Sequence, residues 1–67
     1  MSKNLPQAMN FVFDVQELIN KNLPFHQSIA RALLNYPEAS EKNKKNFVFS
    51  DGSKAFLTSK GFIIKEK

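Results

Sequence analysis

The stretch Asn46-Phe47-Val48-Phe49-Ser50-Asp51-Gly52-Ser53-Lys54-Ala55-Phe56-Leu57 decides the fold. Phe47 and Phe49 alternate with Val48 and Ser50, the two-residue period of a strand with one buried face. Asp51-Gly52 then precedes a second strand-forming run. An Asp-Gly pair so placed is a strong hairpin signal, because glycine accepts the positive φ that the turn demands. Taken as a two-residue turn, it sets Phe47 opposite Phe56 and Val48 opposite Ala55. Ser59-Lys60-Gly61 is a second turn signal, and Phe62-Ile63-Ile64-Lys65 reads as a third strand. A three-residue connection there pairs Leu57 with Ile63 and Phe56 with Ile64. Strands are expected over 46–50, 53–58 and 62–65. In this register Phe47, Phe49, Phe56, Phe62 and Ile64 share the buried face. Val48, Ala55, Leu57 and Ile63 form the other. That second face is apolar enough to be costly in water, so Val48, Leu57 and Ile63 are expected to meet a partner.

The residues before this sheet carry a different period. Ala8, Met9, Phe11, Val12, Val15, Leu18 and Ile19 recur at helical spacing, with Asn10, Asp14, Glu17 and Lys21 opposite them. A first helix is expected over 6–21. A second, over 24–35, has the stripe Phe25, Ile29, Ala32, Leu33 and Tyr36, with Gln27, Ser28, Arg31 and Asn35 on its polar face. Three tokens, Asn4-Leu5-Pro6, Asn22-Leu23-Pro24 and Asn35-Tyr36-Pro37, read as helix starts. Asparagine caps an unpaired first-turn amide, and proline lacks the N–H that would go unpaired there. The third token opens residues 37–45, where Glu38–Lys42 and Glu41–Lys45 stand four apart but no apolar stripe exists. This segment reads as a short exposed helix or an ordered loop. The expectation is therefore a single α+β domain over 1–67: two helices, with a third short one at 37–45 as an option, then an antiparallel hairpin or three-stranded meander.

Size and composition narrow the function. The 67 residues are 42% hydrophobic, with 7 Phe and no Cys, which is globular composition without a disulfide framework. A core this small gives only about 3–5 kcal/mol, so either tight packing of the phenylalanines or homo-oligomerisation, as a dimer, must supplement it. No run of apolar residues is long enough to span a bilayer. The N-terminus lacks a basic segment leading into an apolar one. We expect a cytoplasmic protein with no membrane association.

Catalysis is not expected. His26 is the single imidazole, and a nucleophile, base and orienting group must converge in a pocket that so short a chain has little room to build. Glycine occurs only at 52 and 61, so there is no phosphate-cradling loop, and no His/Asp/Glu spacing suggests a metal. No cofactor and no small-molecule substrate are expected.

Charge points towards binding. The chain carries a net +4. Most of the excess lies after residue 36, at Lys42, Lys44 and Lys45 and again at Lys60, Lys65 and Lys67. Such lysines can neutralise nucleic-acid phosphates. Near the start of the second helix, His26-Gln27-Ser28-Ile29-Ala30-Arg31 resembles the opening of a recognition helix in helix-turn-helix repressors. That resemblance implies DNA contact through Gln27, Ser28 and Arg31. The motif's small first-helix residue and turn glycine are replaced here by Ile19 and Leu23, and Pro24 occupies a normally apolar turn position. The hairpin tip, Ser50 to Lys54, reads as a wing with Lys54 facing phosphate. Lys45-Asn46-Phe47-Val48-Phe49 has some likeness to base-stacking strands, although core packing explains both phenylalanines. The leading expectation is a DNA-contacting regulator of transcription using Gln27, Ser28, Arg31, Lys42, Lys44, Lys45 and Lys54. The rival is a protein-interaction module, an inhibitor or adaptor without nucleic acid.

Overall fold

A computed structural model describes residues 6–65. Helix α1 (Gln7–Asn20) and helix α2 (Phe25–Asn35) precede strands β1 (Ser40–Glu41), β2 (Asn46–Val48), β3 (Lys54–Thr58) and β4 (Gly61–Lys65). The strands form one antiparallel sheet in the order β1-β2-β3-β4. The α+β arrangement of two helices followed by a meander is thus present, with one more strand than the sequence predicted.

The helices end for local reasons. At the close of α1 the Asn22 N–H donates to Ile19 O (2.9 Å) and the Leu23 N–H to Leu18 O (3.2 Å). With Asn22 at φ 74°, this is a Schellman turn. Asn22 therefore stops α1 and does not cap α2, whose N-cap is Pro24 with no side-chain hydrogen bond. Asn35 likewise ends a helix and starts none. Asn4 lies outside the described residues.

Residues 37–45 are not helical. Ala39 N–H closes a turn onto Tyr36 O (2.9 Å), and β1 then pairs Ser40 with Val48 and Glu41 with Phe47. Helix formation here would bury nothing, since most helical stability comes from packing an apolar face. Pairing with β2 instead gives the backbone its hydrogen bonds. Glu38 turns away from Lys42 and accepts from Gln7 Nε2 and Ser50 Oγ, each at 3.1 Å.

The sheet register differs from the expected one by a single residue. The hairpin loop has three residues, Ser50-Asp51-Gly52. Phe49 N–H donates to Ser53 O (3.1 Å), Gly52 N–H to Phe49 O (3.0 Å), and Gly52 sits at φ 93°. This is the type of loop in which a turn is completed by one left-handed residue. Phe47 consequently faces Ala55, and Asn46 faces Phe56. At the second turn Thr58 pairs with Gly61 around two residues, so Leu57 faces Phe62 and Phe56 faces Ile63. One slip moves every side chain of a strand to the other face. Phe47, Phe49, Ala55, Leu57, Phe62 and Ile64 share the helix side. Val48, Phe56 and Ile63 share the open side.

The physical reason is visible at the loop. The first amides of a helix have no partner within it. Here Gln7 N–H donates to Asp51 Oδ2 (2.8 Å) and Ala8 N–H to Ser53 Oγ (3.1 Å). Asp51 Oδ1 accepts from both the N–H and the hydroxyl of Ser53. The loop is a tertiary cap for α1. The small, fully buried Ala55 lies beneath the helices, where a phenylalanine would hold them off.

Phe11 is the centre of the core. It is fully buried and its ring lies 5.2 Å from Phe47, 5.4 Å from Phe49, 5.9 Å from Tyr36 and 6.0 Å from Phe62. Ala8, Val15, Ile29 and Ala32 complete the buried apolar set on the helices. At the rim the Tyr36 hydroxyl donates to Asp14 Oδ2 (2.8 Å).

Two outcomes follow from this packing. Ser53→Ala leaves the buried Ala8 amide without its acceptor and costs about 1–3 kcal/mol in urea unfolding; unchanged stability would show that the cap is not needed. Burial, the hydrogen bond to Asp14 and the Asp14 charge push the Tyr36 hydroxyl up to about 12, against an ordinary value of 10.0. The neutral phenol is thus the form that folding favours. Its contribution is complete below the unfolded value and is lost as pH rises from about 10 to about 12. Relative to wild type, Tyr36→Phe should have a shallower fall in stability across that window, as measured by chemical denaturation at each pH.

Candidate nucleic-acid interface

The corrected register builds the open face of the sheet row by row. Ser40, Val48, Lys54 and Lys65 stand in one cross-strand row. Lys42 N–H donates to Asn46 O (2.9 Å), which continues the β1–β2 pairing, so the next row is Lys42, Asn46, Phe56 and Ile63. The Lys65 ammonium lies over the Phe56 ring, 6.0 Å from its centre. Lys44 (φ 69°) and Lys45 occupy the β1–β2 loop, where Asn43 Oδ1 accepts from Lys45 N–H (3.2 Å). The side chains of Lys42, Lys44, Lys45, Lys54 and Lys65 are all exposed.

The described carboxylates of the same half of the chain, Glu38, Glu41 and Asp51, lie elsewhere. Glu38 and Asp51 are engaged at the N-terminus of α1. Glu41 pairs with Phe47 and so belongs to the helix side of the sheet. Among the described residues the one ion pair is Glu17–Lys21 on α1 (3.7 Å). No described carboxylate pairs with the lysines of the open face, and the repulsion among these lysines falls if a polyanion covers them.

The site residues expected from sequence divide in the structure. Lys42 and Lys54 come together on the open face, with Lys44 and Lys45 on the adjoining loop. Gln27 and Arg31 are exposed on α2, where with Ala30 and Leu34 they line an open depression of about 370 Å³. Ser28 is fully buried, and its hydroxyl points back at Leu23 O (3.4 Å). It cannot reach a base edge. Ser28 lies three residues after Phe25 and four before Ala32, within the apolar stripe, and that spacing was the available signal. Nor is the hairpin tip a wing, since Asp51 and Ser53 hold it against α1.

Of the expected partner interface, Val48 and Ile63 are on the open face. Leu57 is on the helix side, paired with Phe62, because the loop sets the register one residue away. The residue that sequence reasoning missed is Phe56, which it had placed in the core. Phe47 and Phe49, by contrast, are buried at 0% and 2% exposure and cannot stack a base.

His26 is exposed at the start of α2 and packs edge-on against Phe25 (6.1 Å). Ser28 is turned away from solvent, so the two do not form a nucleophile–base pair. Among the described residues no cluster of three His, Asp or Glu is arranged to hold a metal, and no helix is long and apolar enough to cross a membrane. In comparisons with known proteins, no family model, no curated protein and no solved structure matches the chain.

The register has a direct test. Ala55→Leu should overpack the helix–sheet interface and cost about 1–3 kcal/mol. Phe56→Thr, on the open face, should cost less, because threonine suits a strand and leaves no core cavity. Urea midpoints in the reverse order would restore the register expected from a two-residue turn.

Proposed function

We propose that this chain is a non-enzymatic DNA-binding protein that contacts the phosphate backbone through the lysines of the open sheet face and the adjoining β1–β2 loop. The observation that carries the reading is the segregation of charge. Lys42, Lys54 and Lys65 share one face with no carboxylate among the described residues, while Glu38 and Asp51 are held at the opposite function of capping and bracing α1. Lysine-to-phosphate contact requires no catalytic geometry. It releases counterions, and affinity then falls steeply with salt.

This reading moves the interface from α2 to the sheet. Gln27 and Arg31 remain exposed on α2, but with Ser28 buried they no longer form a three-residue reading set. A second copy of the chain is a poorer fit to the sheet face, because pairing that face with itself would bring the Lys54–Lys65 row close to its own like. The rival reading, a protein-interaction module, is favoured by one feature of α2: Leu34 is 81% exposed beside Ala30, Gln27 and Arg31. A protein partner would use that helix and leave the sheet lysines unaffected.

Anisotropy titration with labelled DNA at about 50 and 200 mM salt separates the two readings. Binding should weaken by orders of magnitude across that range. Lys54→Gln should weaken it further and lower the salt slope by roughly one unit, while Leu34→Ser leaves it unchanged. No binding at low salt would overturn the proposal.

A further inference from the structure

We infer that the open sheet face takes single-stranded DNA, with one base stacked on the Phe56 ring and neighbouring phosphates on Lys42, Lys54 and Lys65. The inference rests on the DNA-binding reading above and specifies its ligand.

Phe56 lies on β3, an interior strand, with Asn46 on one side and Ile63 on the other. Lys54 is two residues along the same strand, roughly 7 Å away along the chain. Lys65 is the same distance beyond Ile63. Lys42 stands two strands over in the row of Phe56, roughly 10 Å away. An aromatic ring is thus surrounded by cations on a face without a described carboxylate. Single-strand binders combine these two components: a π-face on which any base can stack, and a positive surface that follows the backbone. The Asn46 amide, next to the ring, offers both a donor and an acceptor to a base edge.

In the free protein a cation already occupies the ring. The Lys65 ammonium over Phe56, at 6.0 Å from its centre, is at the outer limit of a cation–π contact and is held weakly. A stacking base displaces it towards the adjoining phosphate, where a full negative charge replaces a ring quadrupole as its partner.

Duplex DNA cannot use this arrangement. Its bases are already stacked on one another, and reading them requires an element that enters a groove. The hairpin tip, the natural candidate, is tied to α1 by the Gln7 and Ala8 amides. To a duplex the face offers phosphate contacts alone. To a single strand it offers those contacts and a stacking platform.

The test uses the full chain and a labelled oligothymidine of about 15 nucleotides, alongside a duplex of equal length. Oligothymidine should bind more tightly than duplex at the same salt. Phe56→Leu keeps an apolar residue but removes the stacking ring, and should weaken oligothymidine binding by about tenfold while leaving duplex binding unchanged. Phe56→Trp should restore it, and circular dichroism confirms that both variants fold. Equal affinity for the two ligands, or indifference of oligothymidine binding to Phe56→Leu, overturns the single-strand inference and leaves the DNA-binding reading standing. Absence of salt-sensitive binding to either ligand overturns both.

Discussion

The hydrogen bonds from the first turn of α1 to the β2–β3 loop hold the two layers of this fold in one relation. Gln7 and Ala8 would otherwise present amides with no partner inside their own helix. Asp51 and Ser53 accept from them across more than forty residues of chain. No side chain at the N-cap does this work locally, since the ring of Pro6 carries no hydrogen-bond acceptor. The sheet therefore finishes the helix. In return the helix favours the loop the hairpin adopts, because in its three-residue form both Asp51 and Ser53 accept from the first amides of α1.

That dependence explains what the sequence could and could not reveal. Both helices and all three longer strands were legible, because their apolar periods are 3.6 and 2 and each is internally consistent. Asp51-Gly52 announced a hairpin correctly. It did not announce whether Ser50 belongs to the strand or the loop, since both loop lengths place glycine at a positive φ. The choice rests on a helix end that is distant in sequence, and a local reading has no access to it. The consequence is large because strand parity is binary. Ala55 and Leu57 move inward and Phe56 moves outward together.

The remaining differences have the same origin. Asn22 is competent for either end of a helix, as an N-cap oxygen or as a left-handed C-terminal residue. The backbone hydrogen bonds of Leu23 and Asn22 to α1 select the second role. Strand β1 has two residues and both are exposed, so it leaves no hydrophobic alternation to read. Its existence depends on the free edge of β2. Ser28 looked like a reader because it is polar. Its helical phase, between Phe25 and Ala32, is the stronger fact, and its hydroxyl donates to the backbone carbonyl of Leu23.

The charge pattern gains its meaning from the same packing. In sequence, Glu38, Glu41 and Asp51 are interleaved with Lys42, Lys44, Lys45 and Lys54, and the run reads as a mixed, solvated surface. Folding separates them. Two of the carboxylates are drawn to the amide end of α1, where the helix dipole favours negative charge, and the third falls on the opposite side of the sheet from Lys42 and Lys54. The open face is thus left with lysines and no described carboxylate. Phe56 is left in its middle by the same one-residue shift that buries Ala55. The interaction that stabilises the helix is therefore also the one that composes the face on which a polyanion with exposed bases would fit.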